Sequence, residues 1–173
     1  MAPLQAPNLI DALWEDRPPL DTPQLRVHSV HAGKSIVQKL QELGVAIRSA
    51  GACALVVSEL DEVAYLCNVR CWGQIPNCPT SHAYVLVTCM GTASEDEMTV
   101  KATLFIRPEQ LSTDVLEHLA AGGVQTQDYG EFASALGSLS RSLSHSGGVL
   151  LDPARSNAAI YGGVVDNGAC VKP

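Results

Sequence analysis

The sequence predicts an α/β fold in which a mixed β-sheet is flanked by helices. Short apolar segments alternate with amphipathic helical segments along the chain. The segment at residues 54–57 is too apolar to face water, and residues 83–89 and 98–106 have the pattern of two strands paired in an antiparallel hairpin. Hydrophobic residues make up 46% of the 173 residues, which is enough for the core of one domain.

The most clearly marked helix follows Ser35. The sequence SIVQ, residues 35–38, has the form of a capping box. In this motif the serine hydroxyl accepts a hydrogen bond from a first-turn N–H, and the side chain of Gln38 accepts one from the N–H of Ser35. Apolar residues then recur at intervals of three and four as far as residue 50, and Gly51 suits the left-handed conformation that ends many helices.

A shorter helix is expected after the apolar strand at residues 54–57. Ser58 precedes apolar residues at helical spacing and is predicted to be the N-cap of this helix. Asp61 and Glu62 then place negative charge at the positive end of the helix dipole. Adjacent helical residues diverge by about 100°, so the two carboxylates are not expected to share one water as a catalytic pair.

The rest of the chain continues to alternate between helices and strands. A helix at residues 8–16 and an extended linker at residues 20–32 are expected before the body of the domain. After the hairpin, the predicted order is a helix opened by Ser112 and ended by Gly122, an edge strand at residues 124–128, a helix at 131–143, a strand at 148–151, a short helix at 156–161 and a final strand at 169–171.

The charge of the chain excludes some partners. The formal net charge is -7 and no basic run occurs, which argues against nucleic acid and against an anionic membrane surface. No apolar run approaches the roughly 18 residues of a transmembrane helix. The N-terminus lacks the basic and then apolar pattern of a signal peptide, so a cytoplasmic location is predicted.

Six cysteines are expected to remain reduced in that compartment. Cys53, Cys67 and Cys89 fall in apolar patterns that suit small buried hydrophobic side chains. The alternative is a zinc site formed by Cys67, Cys71 and Cys78. It lacks a C-x-x-C pair, and His82 is the only nearby candidate for a fourth ligand.

Other patterns that suggest catalytic or ligand sites are incomplete. Residues 33–35, GKS, imitate the end of a phosphate-binding loop, but His28 stands where that loop requires glycine. A helix cap at Ser35 is the better interpretation. No histidine belongs to a metal-binding or nucleophile motif, so all are interpreted as surface residues; they are His28, His31, His82, His118 and His145.

The loop at residues 68–81 contains more side chains suited to binding than a simple connection between strands needs. Arg70 could hold a carboxylate or a carbonyl through its planar guanidinium, and Trp72 offers a large apolar face. Two interpretations stay open. In one, the loop is structural and Arg70 pairs with an acid of the same domain. In the other, Asn68, Arg70, Trp72 and His82 line a cleft or an interface between domains.

Three segments together resemble a known family. They are NLIDALWEDRP at residues 8–18, AGKS at residues 32–35 and SELDEVAYLCNVRC at residues 58–71. Their order and spacing resemble the middle domain of Xaa-Pro aminopeptidases, the multi-domain form of aminopeptidase P. The resemblance implies a creatinase/prolidase N-terminal-domain-like fold. It also implies an N-terminal arm and interdomain linker helix at residues 1–31 and a middle domain at residues 32–173.

The resemblance also implies a function for the parent protein. Xaa-Pro aminopeptidases remove the N-terminal residue that precedes proline, with two divalent metals, manganese or zinc, in a separate catalytic domain. No segment of this chain matches that domain's ligand motifs, so no catalytic residue, metal ligand or cofactor is assigned here. The implied partners are the parent's own catalytic and N-terminal domains, a peptide with proline in second position, and a second copy of the parent in a homodimer.

The loop departs from the family pattern where contacts with a catalytic domain would be expected. Cys71 replaces the usual glycine, and Ser81 and His82 replace an aromatic pair. A protein-binding or scaffolding module whose parent has lost peptidase activity is therefore the second hypothesis. A small enzyme that uses Cys71 or Cys78 as a nucleophile is the third.

Overall fold

A six-stranded sheet lies at the centre of the fold. The structure is a computed structural model that describes residue 10 and residues 13–91, 99–144 and 147–172. The strands are β1 Arg26–Val27, β2 Ala52–Val57, β3 Val69–Arg70, β4 Tyr84–Met90, β5 Thr99–Ile106, β6 Val124–Asp128, β7 Gly148–Leu150 and β8 Cys170–Lys172. The helices are α1 Ile36–Ser49, α2 Leu60–Leu66, α3 Thr113–Ala121, α4 Phe132–Leu143 and α5 Ala158–Val165, with single 3₁₀ turns at Pro108–Gln110 and Tyr129–Glu131.

The sheet is mixed, as the sequence predicts. Its strand order is β6-β5-β4-β2-β7-β8. The three strands β2, β4 and β5 pair antiparallel, and the predicted hairpin is the β4–β5 pair, with Leu86 opposite Thr103. Parallel pairing extends the sheet outward from this centre, through β6 on one side and through β7 and β8 on the other. Strand β6 lies at an edge, which confirms that prediction.

Both faces of the sheet are covered, because successive residues of a strand point to opposite faces. On one face, Val85 and Val87 of β4 belong to a buried cluster with Ile47 of α1 and with residues of α2 and α3. On the other face, Leu86 belongs to a second cluster with Leu136 of α4 and with residues of α5. This arrangement of helices on both sides explains why the central strands read as nearly continuous apolar runs.

The first helix begins as its sequence predicts. The N–H of Gln38 donates to the Ser35 hydroxyl at 3.2 Å, and the N–H of Ser35 donates to the Gln38 side chain at 2.9 Å. Gly51 has a φ of 69°, in the left-handed region that ends the helix. Both signals act between residues close in sequence, which is why they can be recognised without the fold.

The predicted cap at Ser58 is wrong. Helix α2 begins one residue later, with Glu59 at the N-cap and no side-chain hydrogen bond to the first turn. The Glu59 carboxylate instead contacts the Arg155 guanidinium at 2.8 Å. The helix expected at residues 156–161 is shifted along the chain: α5 runs from Ala158 to Val165. It begins at Ala158 because Asn157 accepts the capping bond from the N–H of Ile160 at 3.0 Å.

The segment predicted as a linker is extended but packs against the domain. Strand β1 pairs with β3, a strand that the sequence does not predict. Leu25, next to β1, is buried, and its N–H donates to the Gln110 carbonyl at 2.8 Å. Four residues of the expected helix at residues 8–16, namely 8, 9, 11 and 12, lie outside the described residues, as does His145; Ile10 and Leu13 are helical. The boundary between residues 31 and 32 stays a prediction.

Among the described residues, none of the helices combines the length and the apolar character needed to cross a bilayer.

Replacing Ser35 by alanine should lower the free energy of unfolding by about 1 kcal/mol, because it removes the capping acceptor of α1. The matched control is Ser58→Ala, which should be close to neutral because Ser58 does not cap α2. Urea unfolding followed by circular dichroism measures both changes. Equal losses in the two variants would contradict the assignment of the caps.

Candidate functional site

The candidate site begins at Asn68, directly after α2. This residue has a φ of 50°, a left-handed conformation that asparagine tolerates better than most residues. Its carbonyl accepts from the N–H of His28 at 2.8 Å, and its amide nitrogen donates to the Lys34 carbonyl at 3.0 Å. Asn68 is buried, so its polar groups serve the turn that leads into the loop.

A buried lysine, which the sequence analysis did not identify, holds this turn. Lys39 is 3% exposed, and its ammonium donates to Asn68 Oδ1 at 2.5 Å and to the Tyr65 carbonyl at 2.6 Å. The ammonium also lies 3.5 Å from the centroid of the Tyr65 ring. Burial lowers the pKa of Lys39, and the positive charge of Arg70 lowers it further. The sequence feature that could have identified Lys39 as buried is its position one residue before Leu40, within the apolar stripe of α1.

The end of α2 is well suited to a cation. Carbonyls in the last turn of a helix carry partial negative charge and lack partners within the helix. Lys39 binds one of them, at Tyr65, and the His118 ring lies 3.1 Å from another, at Cys67. Among the described residues no carboxylate pairs with Lys39, so the carbonyl oxygens and Asn68 solvate its charge.

The loop after β3 is held closed by its own backbone. The N–H of Cys71 donates to the Pro79 carbonyl at 3.1 Å, and Ile75 forms an antiparallel bridge with Cys78. Gly73 and Asn77 both have positive φ values, 102° and 59°, which permit the tight reversals between these contacts. The loop is therefore an ordered projection rather than a loose connector.

A buried polar network fastens the loop to the N-terminal segment. Gln74 donates to the Asp21 carbonyl at 2.7 Å and accepts from the Ser81 hydroxyl and from the N–H of His82, both at 2.8 Å. Gln110 is fully buried and donates to the Ser81 hydroxyl at 2.9 Å. The ring Nδ1 of His82 is buried and finds no hydrogen-bond partner in the described part of the chain. Neither glutamine was among the predicted site residues.

The outer surface of the site combines positive charge with an aromatic ring. Arg26 lies directly opposite Arg70 in the β1–β3 pair, although like charges at opposite positions are unfavourable. The Arg26 guanidinium is 5.8 Å from the centroid of the Trp72 ring, which is 53% exposed as a residue. Arg26, Arg70 and Trp72 are called the Arg–Trp patch below.

The expected ion pair between Arg70 and an acid of the same domain is not found among the described residues. Its guanidinium donates to the neighbouring Val69 carbonyl at 2.8 Å instead. Arg26 is exposed and Arg70 is half-buried, and neither has a carboxylate partner within the described ranges, in a chain whose net charge is -7. The patch can bind an acidic, partly apolar surface. Arg26 was missed because its place opposite Arg70 depends on β1–β3 pairing.

The cysteines in and beside the loop are not placed together to bind a metal, and burial disfavours the thiolate of Cys67 and Cys71. Burial raises the pKa of the Cys67 thiol to about 12, and burial also raises that of Cys71. The Cys71 thiol donates to the Pro23 carbonyl at 3.4 Å. The described ranges hold no group of three or more His, Cys, Asp or Glu residues placed to hold a metal. The structure therefore does not assemble Cys67, Cys71, Cys78 and His82 into a zinc site.

The fold and the loop define an α/β domain with a mixed sheet and an ordered, basic and aromatic projection at one side. The chain belongs to the creatinase/prolidase N-terminal domain family, whose profile matches residues 16–172. This membership confirms the resemblance and the fold that it implies.

The similar proteins are aminopeptidases. Aminopeptidase P2 of Arabidopsis thaliana is 31% identical over 155 residues, which are 88% of this chain and 20% of that protein. A probable Xaa-Pro aminopeptidase P of Paracoccidioides lutzii is 36% identical over 114 residues, 65% of this chain and 17% of that protein.

A solved structure agrees with them. The X-prolyl aminopeptidase of Caenorhabditis elegans, described as a cytosolic enzyme with a di-nuclear active site, superposes with a TM-score of 0.80 and 26% identity. The match covers 95% of this chain and 26% of that one. The chain thus spans about a fifth of the length of the curated relatives that it matches.

Replacing Lys39 by methionine should lower the free energy of unfolding by about 2 kcal/mol, because Asn68 and the Tyr65 carbonyl lose a charged donor in a buried site. Lys34→Met is the control. It removes an exposed lysine that pairs with Glu42, and such surface pairs contribute little. Urea unfolding compares the variants. An unchanged or more stable Lys39→Met protein would mean that burying the ammonium costs more than its hydrogen bonds return.

Proposed function

We propose that this chain is the non-catalytic middle domain of a metal-dependent Xaa-Pro aminopeptidase, whose parent removes the N-terminal residue that precedes proline. The observation that carries the proposal is the similarity to aminopeptidase P along 88% of the chain, combined with its small share of that relative's length. In this proposal residues 1–31 form an arm and linker helix, and residues 32–173 form the middle domain.

The domain contributes to the parent's architecture and to the edge of its active-site cleft. The Arg–Trp patch supports this role because arginine and tryptophan dominate the energetics of many protein interfaces. The closed loop and its glutamine network support it as well, since a rigid projection loses little conformational entropy when it docks. Arg70 and Trp72 contact the partner surface, and Asn68 and His82 help to position the loop behind them.

The chemistry belongs to another part of the parent. In the catalytic domain of such a parent, two divalent metals, manganese or zinc, would supply activation of water and polarisation of the peptide carbonyl. The described residues of this chain offer no metal cluster, and none is assigned as a ligand. The partners are the catalytic and N-terminal domains and a peptide with proline in second position. The parent is further proposed to be a homodimer and to lie in the cytoplasm. The cytosolic relative from Caenorhabditis elegans supports the location.

A second candidate is a protein-binding module whose parent has lost peptidase activity. The observation that favours it is the departure of residues 71–82 from the family pattern, at Cys71, Ser81 and His82. In this alternative the Arg–Trp patch binds a separate acidic protein. The complete parent sequence separates the candidates, because an active aminopeptidase needs all five metal ligands of its catalytic domain, two Asp, one His and two Glu.

The chain alone should not hydrolyse an Xaa-Pro peptide in the presence of manganese, whereas the full-length parent should. Release of the N-terminal amino acid, followed by chromatography, measures both. Metal-dependent turnover by the isolated chain would overturn the assignment of a non-catalytic domain. An inactive parent with a complete set of ligands would favour the binding module.

In the full-length parent, Trp72→Ala should lower kcat/KM by about tenfold, because the variant removes the aromatic anchor of the patch. The control is Tyr161→Ala on α5, where an aromatic residue is 44% exposed and lies away from the loop. Thermal unfolding of both variants checks that the domain stays folded. Equal kinetics for the two variants would exclude a special role for the Arg–Trp patch.

A further inference from the structure

Two cysteines lie opposite each other on the central strands, far from the loop described above. The antiparallel register pairs Ala54 of β2 with Thr88 of β4 and ends there; continued by one residue, it would place Cys53 opposite Cys89. The two thiols are close enough for Cys53 to act on the pKa of Cys89. Directly opposite residues have Cβ atoms about 4.5–5.5 Å apart. A disulfide needs about 3.5–4.5 Å, so a small local shift would bring the two sulfurs into bonding range.

Both side chains lie on the face of the sheet that α1 covers. Cys89 alternates in phase with Val85 and Val87 and joins the same buried cluster. Cys53 contacts Arg48 of α1, whose Nη1 lies 3.3 Å from its sulfur. Opposite positions on one face are the geometry from which a cross-strand disulfide can form.

Strand β2 is irregular at Cys53, where a shift toward Cys89 is needed. Between Ala52 and Ala54 the pairing of β2 with β7 slips, so Cys53 is an extra residue in that ladder. Such a bulge leaves its residue outside the regular pairing and increases the local twist. A Cβ on Gly147 would collide with the Cys53 sulfur, so this glycine gives the thiol its space. The bulge and the glycine together let Cys53 adjust its position relative to Cys89.

Arg48 is the charged group beside the two cysteines. Its Nε atom is buried and has no hydrogen-bond partner within the described ranges, while its Nη1 is placed on the Cys53 sulfur. The contact keeps a cationic donor against the sulfur, where negative charge develops as a thiol reacts with an oxidant. Burial raises the pKa of Cys89, and the nearby Arg48 charge opposes that rise. Cys53 is partly exposed and Cys89 is buried, so oxidant reaches Cys53 first.

We propose that Cys53 and Cys89 form a peroxide-sensitive dithiol that closes to a disulfide between β2 and β4. The Cys53 thiolate attacks one oxygen of hydrogen peroxide, the O–O bond breaks, and the departing hydroxide takes up a proton as water while a sulfenic acid forms. The Cys89 thiol then attacks the Cys53 sulfur, the S–O bond breaks, and a second water leaves with the thiol proton. The two thiols are oxidised and the peroxide is reduced to two waters.

The test is limited oxidation of the folded chain with hydrogen peroxide, followed by mass spectrometry. The expected product has lost two hydrogens and contains a peptide that links Cys53 to Cys89. Cleavage after Glu59 separates Cys53 from Cys67, and cleavage after Tyr84 separates Cys78 from Cys89, so the sequence permits an unambiguous assignment. A disulfide between any other two cysteines, or oxidation confined to the exposed Cys170, overturns the proposal.

Three variants test the roles of the individual groups. Cys89→Ser should trap a sulfenic acid on Cys53 that reacts with dimedone, and Cys170→Ser, the matched control, should form the disulfide as the original chain does. Arg48→Gln should slow the first step severalfold, and Arg48→Lys should restore part of the rate. Circular dichroism confirms that each variant is folded. Absence of sulfenic acid in folded Cys89→Ser, or unchanged kinetics in folded Arg48→Gln, contradicts the assigned roles.

Discussion

The placement of the candidate site depends on the buried ammonium of Lys39. It reaches from α1 to the Tyr65 carbonyl in the last turn of α2 and to the Asn68 side chain, and so joins three parts of the chain through two hydrogen bonds. A lysine at 3% exposure without a carboxylate partner among the described residues is costly unless other groups solvate it. The partial negative charge at the end of α2 and the face of Tyr65 supply that solvation. The left-handed turn at Asn68 is thereby held, and with it the direction in which the loop leaves the sheet.

The loop beyond that turn is fastened by polar groups, in addition to the burial of Val69 and Cys71 in the main apolar cluster. The β1–β3 ribbon and the hydrogen bonds of Gln74 and Gln110 bind the loop to the N-terminal segment. These contacts are what place Arg26 beside Arg70. A pair of like charges at the surface is unfavourable in the free domain, and a partner carboxylate would relieve it. The domain is in this sense prepared for an acidic neighbour, which agrees with a role at the interface of a larger enzyme.

Three arginines of this chain, Arg26, Arg70 and Arg48, occupy two contrasting environments. In the Arg–Trp patch, Arg26 is exposed and Arg70 is half-buried beside an exposed Trp72, at a surface that a partner can reach. Arg48 is partly buried against the sheet, with a thiol as its neighbour. In the first environment the charge favours association, and in the second the guanidinium donates to a thiol. The two sites lie at different places in the fold, so oxidation of Cys53 and Cys89 is separate from docking through the loop.

The sequence by itself determined most of the helices and strands, the capping box at Ser35 and the β4–β5 hairpin, because these depend on residues close to one another in the chain. It also determined the family, through three segments whose order and spacing are visible along the chain. The prediction that Ser58 caps α2 fails for a long-range reason, because Glu59 is held by Arg155, which is far away in sequence. Only the tertiary structure decided the burial of Lys39, the β1–β3 pairing, the juxtaposition of Arg26 with Arg70 and that of Cys53 with Cys89. In each of these cases the partner comes from a distant segment, and no local periodicity encodes which segments will meet.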